Sequence, residues 1–215
     1  MERRIWRSIG LVIILIFALA CFGCKADELP PEPEVTTPAV IDSFQGPQIE
    51  PQKLVIAKLD VDEEIDPVGK DSETGMMKVP PGATGISWYK VASGSFPSPG
   101  WKGNALLAGH NYYNLVPGTL KDLYTLDIGD TMEVIYKDGS KGVFTLKSKK
   151  IYDEDDAKAF EEDRVFLSSE DARVTVMTCH GDRKPGGGYP ERLIVVFSPV
   201  EHVSASGEKL TVITP

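Results

Sequence analysis

Three side chains able to carry acyl-transfer chemistry stand at the ends of apolar, β-branched runs. The stretch 174–199 reads VTVMTCHGDRKPGGGYPERLIVVFSP. Its first run, 174–177, leads into Thr178-Cys179. Its second run, Leu193-Ile194-Val195-Val196-Phe197, is opened by Arg192. Each is short and rich in β-branched residues, the signature of a buried strand. A glycine- and proline-rich loop, 181–191, joins them, so they are expected to pair antiparallel and to bring Cys179 close to Arg192. A thiol beside a fixed positive charge supplies a nucleophile and a stabiliser for a developing oxyanion. Upstream, Asn104 to His110 (NALLAGH) is a third buried-strand pattern, and it ends in a histidine, the usual proton carrier.

The elements that must position these groups are strands. Along the first run, side chains alternate, so Val174, Val176 and Thr178 share one face and Thr175, Met177 and Cys179 the other. His180 follows Cys179 directly and is expected to point away from it. His202 lies beyond the last core strand. Further strands are expected at 53–57, 64–68, 77–81 and 85–89. A hairpin is expected at 131–136 and 141–149, turning at Asp138-Gly139. One or two helical turns are expected in 117–126, with Leu120, Leu123 and Leu126 on a common side. Many short strands with regular turn signals and little helix imply an all-β barrel or sandwich.

Chain organisation follows from composition. The 215 residues are 41% hydrophobic, enough for one good-sized core. A net charge of -9 leaves no basic stripe for phosphates, which argues against nucleic acid. At 1–24, Arg3, Arg4 and Arg7 precede an uncharged run from Ser8 to Cys24. This is a positive segment followed by an apolar one, near the lower limit of about 17 residues for crossing a bilayer. It reads as a membrane anchor with the arginines on the cytoplasmic side. The alternative is a signal segment cut before Cys21 or Cys24 with the new terminal cysteine lipidated; Ala18-Leu19-Ala20-Cys21 resembles a bacterial lipobox only loosely. Residues 25–51, dense in Pro, Glu and Thr, read as an extended extracytoplasmic tether. The folded domain is expected at 52–215.

Cysteine usage separates Cys179 from the rest. The other two cysteines, Cys21 and Cys24, belong to the N-terminal segment, so Cys179 has no disulfide partner within the exported domain. Against a reactive thiol stands a buried structural cysteine. A zinc site from Cys179, His180 and His110 is a further alternative, disfavoured because adjacent strand residues rarely ligate one ion and the domain has no CxxC pair. The acidic segment 154–163 (EDDAKAFEED) reads as a solvated helix face. Its carboxylates could hold calcium, but their spacing matches no calcium-loop pattern.

The order GH at one strand end, TC at a second and Arg opening the next resembles the sortase family of cysteine transpeptidases. The resemblance runs from about residue 54 to 200. It includes MKVPPGATGISWY (77–89) and LYTLDIGDTMEV (123–134). It implies a closed sortase-type β-barrel of about eight strands with one or two short helices. It assigns Cys179 as nucleophile, His110 as acid and base, and Arg192 as oxyanion stabiliser, with Thr178 as a weaker oxyanion support. It implies no cofactor. The expected substrates are exported proteins bearing a C-terminal LPxTG-like sorting signal, passed through a thioacyl-enzyme to an amine of a cell-wall precursor or another acceptor. The expected place is the bacterial cell membrane with the domain outside. The proline tether and compact domain look most like sortase classes D, E or F. Two other readings stay open: the same fold acting as a hydrolase, and a membrane-tethered binding module without catalysis.

Overall fold

The computed structural model describes residues 40–90, 96–162 and 169–213. The expected anchor at 1–24 and the tether as far as residue 39 lie outside them. Among the described residues there are twelve strands: β1 (Val40–Ile41), β2 (Pro51–Ile56), β3 (Val61–Val68), β4 (Ile86–Tyr89), β5 (Gly103–Ala108), β6 (Tyr112–Tyr113), β7 (Val116–Pro117), β8 (Thr131–Tyr136), β9 (Lys141–Asp153), β10 (Ala172–His180), β11 (Glu191–Val203) and β12 (Lys209–Val212). Among them there is also one α-helix, α1, at Ala157–Glu162.

Eight of the strands close a barrel in the order β11-β10-β5-β4-β3-β2-β8-β9, with β9 returning to pair with β11. Closure removes free sheet edges, and it comes from the length of β9 and β11, both 13 residues. The alternation read from sequence holds on β10. Val174 and Val176 face the interior and pack with Ala105, Leu107, Val195 and Phe197, all essentially inaccessible. On the outer face, Met177, Ile194, Val196 and Tyr152 form a second, smaller cluster capped by Phe160 of α1. Tyr152 and Phe160 stack with centroids 4.9 Å apart. The expected hairpin is present, with Gly139 at φ 84° and the Asp138 carboxylate accepting from the Ser140 amide and hydroxyl.

The turn expected within 117–126 is present as one 3-10 turn, Leu123–Thr125. Leu120, Leu123 and Leu126 are all buried, and their spacing of three matches a helix with three residues per turn. Two expectations change. Residues 77–81 form no strand. Met77 makes only a single bridge to Lys70, and Pro80-Pro81 can donate nothing to a ladder. Second, residues 40–51, read as part of the tether, pack onto the domain. β1 pairs with β12, and Phe44 is 2% exposed. Its ring meets Trp101 and Tyr136 edge-on and stacks on His202 at 4.3 Å. Gly100 and Gly142 make room for it: a Cβ at either would lie 2.4 or 2.9 Å from the ring. Burying one aromatic side chain, worth roughly 1.5–3 kcal/mol, is enough to dock a segment whose average composition is polar.

Candidate active site

The ladder between β10 and β11 places Cys179 directly opposite Arg192. β10 also runs parallel to β5, with Met177 opposite Ala108, so the chain leaving β5 reaches His110 beside the end of β10. Two bonds tie these strand ends together. The Gly109 amide donates to Met177 O at 3.3 Å, and the Thr178 hydroxyl donates to Gly109 O at 2.9 Å. Cys179, His110, Arg192 and Thr178 line one groove of about 930 Å³ on the outer surface of the barrel. The opposite wall comes from residues 70–79, including Met76, Met77 and Val79.

Each group has a defined environment. Cys179 is a free, half-buried thiol. Burial pushes its pKa up, the Arg192 charge pulls it down, and the Glu154 carboxylate adds a smaller upward push. The His110 Nε2 lies 2.9 Å from Pro80 O. A carbonyl oxygen only accepts, so Nε2 carries the proton and Nδ1 is left as the basic nitrogen. The His110 backbone is pinned as well: its carbonyl accepts from the Leu120 amide at 2.9 Å, and Gly118 packs so closely that a Cβ there would lie 2.3 Å from the His110 oxygen. Arg192 Nη1 donates to Tyr189 O at 3.2 Å and Glu191 O at 2.9 Å, while Nη2 is paired with Glu154. The Arg192 side chain is 16% exposed, so its charge acts in a setting poorer in water than the surface.

All four residues singled out from sequence therefore meet at one groove. Thr178 differs in detail: its hydroxyl proton is committed to Gly109 O, so the hydroxyl serves as a tie between the two strand ends rather than as a free donor. His180 turns away, with Nδ1 2.7 Å from Glu191 Oε2. Among the described residues, no three His, Cys, Asp or Glu side chains cluster closely enough to hold a metal ion. Gly118, Pro80 and Glu154 escape a reading of strand ends, because each acts from a loop that the topology folds back. The Lys70–Met77 bridge likewise leaves no periodic signal.

A closed β-barrel carrying a thiol, an imidazole and a guanidinium along one external groove defines a class of cysteine-dependent acyl-transfer domain. Residues 54–200 match the family model for the sortase domain. The chain belongs to the sortase family. Among solved structures it is similar to sortase E1 from Streptomyces coelicolor, with 25% identity, 76% of this chain and 95% of that one covered, and a TM-score of 0.53; that enzyme was solved with a tripeptide in its active site. It is similar in fold to sortase A from Actinomyces oris (20% identity, 76% and 87% covered, TM-score 0.53). It is also similar in fold to sortase A from Listeria monocytogenes (18% identity, 77% and 92% covered, TM-score 0.50). No curated protein sequence matches it significantly.

Proposed function

We propose that this sortase cleaves an LPxTG-like sorting signal near the C-terminus of exported proteins and passes the acyl group to an amine of the cell wall. The observation that carries the reading is the Cα pairing of Cys179 with Arg192 at a groove shared with His110. In this reading the Cys179 thiolate attacks the scissile carbonyl and forms the C–S bond. The Arg192 guanidinium hydrogen-bonds the oxyanion of the tetrahedral intermediate. The C–N bond then breaks as His110, protonated at Nδ1, gives that proton to the leaving amine. The acceptor amine attacks the thioester, His110 takes its proton, and Cys179 leaves. No cofactor enters this scheme. Burial of the thiol works against the thiolate, and the Arg192 charge favours it.

The membrane face and the class are part of the same proposal. Arg3, Arg4 and Arg7 ahead of an apolar run support an N-terminal anchor with the domain outside the cytoplasm. The similarity to a class E sortase supports placement among the small classes D, E and F. The test is intact mass of the full chain in detergent after incubation with a library of LPxTG-like peptides, beside Cys179→Ala. The expected result is a thioacyl adduct on the native chain alone, converted to transpeptidation product when an amine is added. Product formed only by water would turn the reading to hydrolysis. An inert Cys179 would leave a tethered binding module.

A further inference from the structure

Arg192 stands between two recesses. The larger is the groove it shares with Cys179 and His110. The smaller, about 400 Å³, lies under α1 and is lined by Met76, Phe160, Met177 and Glu154. Glu154 borders only the smaller one. Its carboxylate pairs with Arg192 Nη2 at the recess under α1.

The sequence explains why Glu154 is there. In the β9–β11 ladder Tyr152 is the partner of Arg192, and Glu154 follows two residues later, just past the end of β9. Its amide donates to Pro190 O at 2.7 Å, which fixes the backbone across from Arg192. The first turn of α1 begins immediately afterwards, with the Asp156 carboxylate accepting from the Ala159 amide. The carboxylate of Glu154 is shared with Lys184 at 3.1 Å. Lys184 and Arg192 hold it below the usual carboxylate range, so it stays ionised.

We propose that Glu154 is a positioning residue: it holds the Arg192 guanidinium in the plane from which its remaining donors reach a carbonyl bound at Cys179. A guanidinium has five N–H donors in a rigid fork. Three acceptors, Tyr189 O and Glu191 O on Nη1 and Glu154 on Nη2, engage its two terminal nitrogens. Two of them are backbone carbonyls within three residues of Arg192 in sequence. Glu154 is the charged one, and it comes from the turn that follows β9, so it turns a local arrangement into one anchored to the barrel. Charge-assisted bonds are roughly twice as strong as neutral ones. The Glu154 negative charge also opposes the thiolate at Cys179, a cost that a purely structural ion pair could avoid by standing elsewhere.

This inference rests on the sortase reading above, and its test separates the two. Full chain in detergent, labelled at arginine with ¹⁵N and ¹³C, is compared as wild type, Glu154→Gln, Glu154→Asp and Lys184→Met, with Arg192→Lys identifying the Arg192 signals. Hindered, slowly exchanging Arg192 side-chain N–H signals are expected in the wild type and in Lys184→Met. They are expected to be lost in Glu154→Gln while the thermal midpoint stays near wild type. With a peptide that the wild type cleaves, kcat for acylation should fall about tenfold in Glu154→Gln, the effect of weakening one charge-assisted bond. KM should change little, and Glu154→Asp should recover part of the rate. Glu154→Gln should add nothing in an Arg192→Lys background. Unchanged Arg192 signals, a wild-type rate, or additive losses would each overturn the proposal. If no peptide is cleaved, the sortase substrate reading fails, while the arginine signals still decide the role of Glu154.

Discussion

The floor and the walls of the groove are built on different principles. The floor is β5, β10 and β11, where an unbroken ladder places each side chain by its position in a two-residue alternation. Slipping that register by one residue would turn Cys179 inward and Val176 outward, so the packed interior enforces it. The walls are loops. Residues 70–79 are shaped by the Asp71 carboxylate, which accepts from the Glu73 and Thr74 amides and the Thr74 hydroxyl, and by one bridge. The wall at 154–162 is held by the Tyr152–Phe160 stack and its small outer cluster, by the Glu154 amide on Pro190 O and by the Glu154 ion pairs. The groups proposed to do chemistry thus sit where structure is over-determined. The surfaces proposed to select a peptide sit where a few contacts decide, and where change is cheap for the fold.

The floor breaks first under mutation. Phe197 on β11 is wholly buried in the main core, so Phe197→Ala should cost about 3–5 kcal/mol. A urea titration should show a lower midpoint, with kcat per folded molecule unchanged. Gly118→Ala probes the point where a loop touches the floor. A Cβ would lie 2.3 Å from the His110 carbonyl, a backbone atom that cannot step aside alone. Displacing His110 by about 1 Å should lower kcat roughly a hundredfold. Alkylation of Cys179 by iodoacetamide should continue at the wild-type rate. Wild-type turnover in Gly118→Ala would mean that the loop, not the ladder, adapts to place the histidine.

How much of this was legible in the sequence follows the same division. The pairing of Cys179 with Arg192 was readable because β-branched runs, a breaker-rich loop and strand alternation leave one sensible register. His110 needed more, since β5 and β10 are parallel and their Met177–Ala108 pair is separated by 69 positions, which no local pattern announces; the family resemblance supplied that link. Phe44 was hidden by its proline-rich surroundings. Its docking depends on Gly100 and Gly142, distant glycines whose missing side chains leave the space. Glu154 read as one carboxylate in an acidic run, and only the β9–β11 register, which closes the barrel, sets it against Arg192. Long-range closure has no local signature, so whatever depends on it escapes a strand-by-strand reading.

The electrostatics of the floor can be sharpened by pH. Burial raises the Cys179 pKa and the Arg192 charge lowers it. Arg192→Met removes the lowering influence and leaves burial unopposed. The pH midpoint for alkylation of Cys179 should therefore move upward, and the rate at neutral pH should fall as the thiolate fraction shrinks. A midpoint that stays put would mean that solvent or another charge, rather than Arg192, sets the thiol's state, and the oxyanion role would lose its electrostatic support.

Two methionines give the finest test of floor against wall. Met76 and Met177 both line both recesses, so a bound peptide would meet either one. Met177 belongs to β10 and packs against Tyr152, Phe160 and Ile194. Met76 is 63% exposed on the loop. Met177 is half-buried, so Met177→Ala should cost about 1–2 kcal/mol, below the range for a fully buried methionine. Met76→Ala should leave stability within about 0.5 kcal/mol. Both should raise KM for a cleaved peptide several-fold with little change in kcat, because each removes apolar contact made equally in ground and transition states. Equal destabilisation by the two substitutions would show that the 70–79 wall is part of the folded core, and the separation between a fixed floor and adjustable walls would not hold.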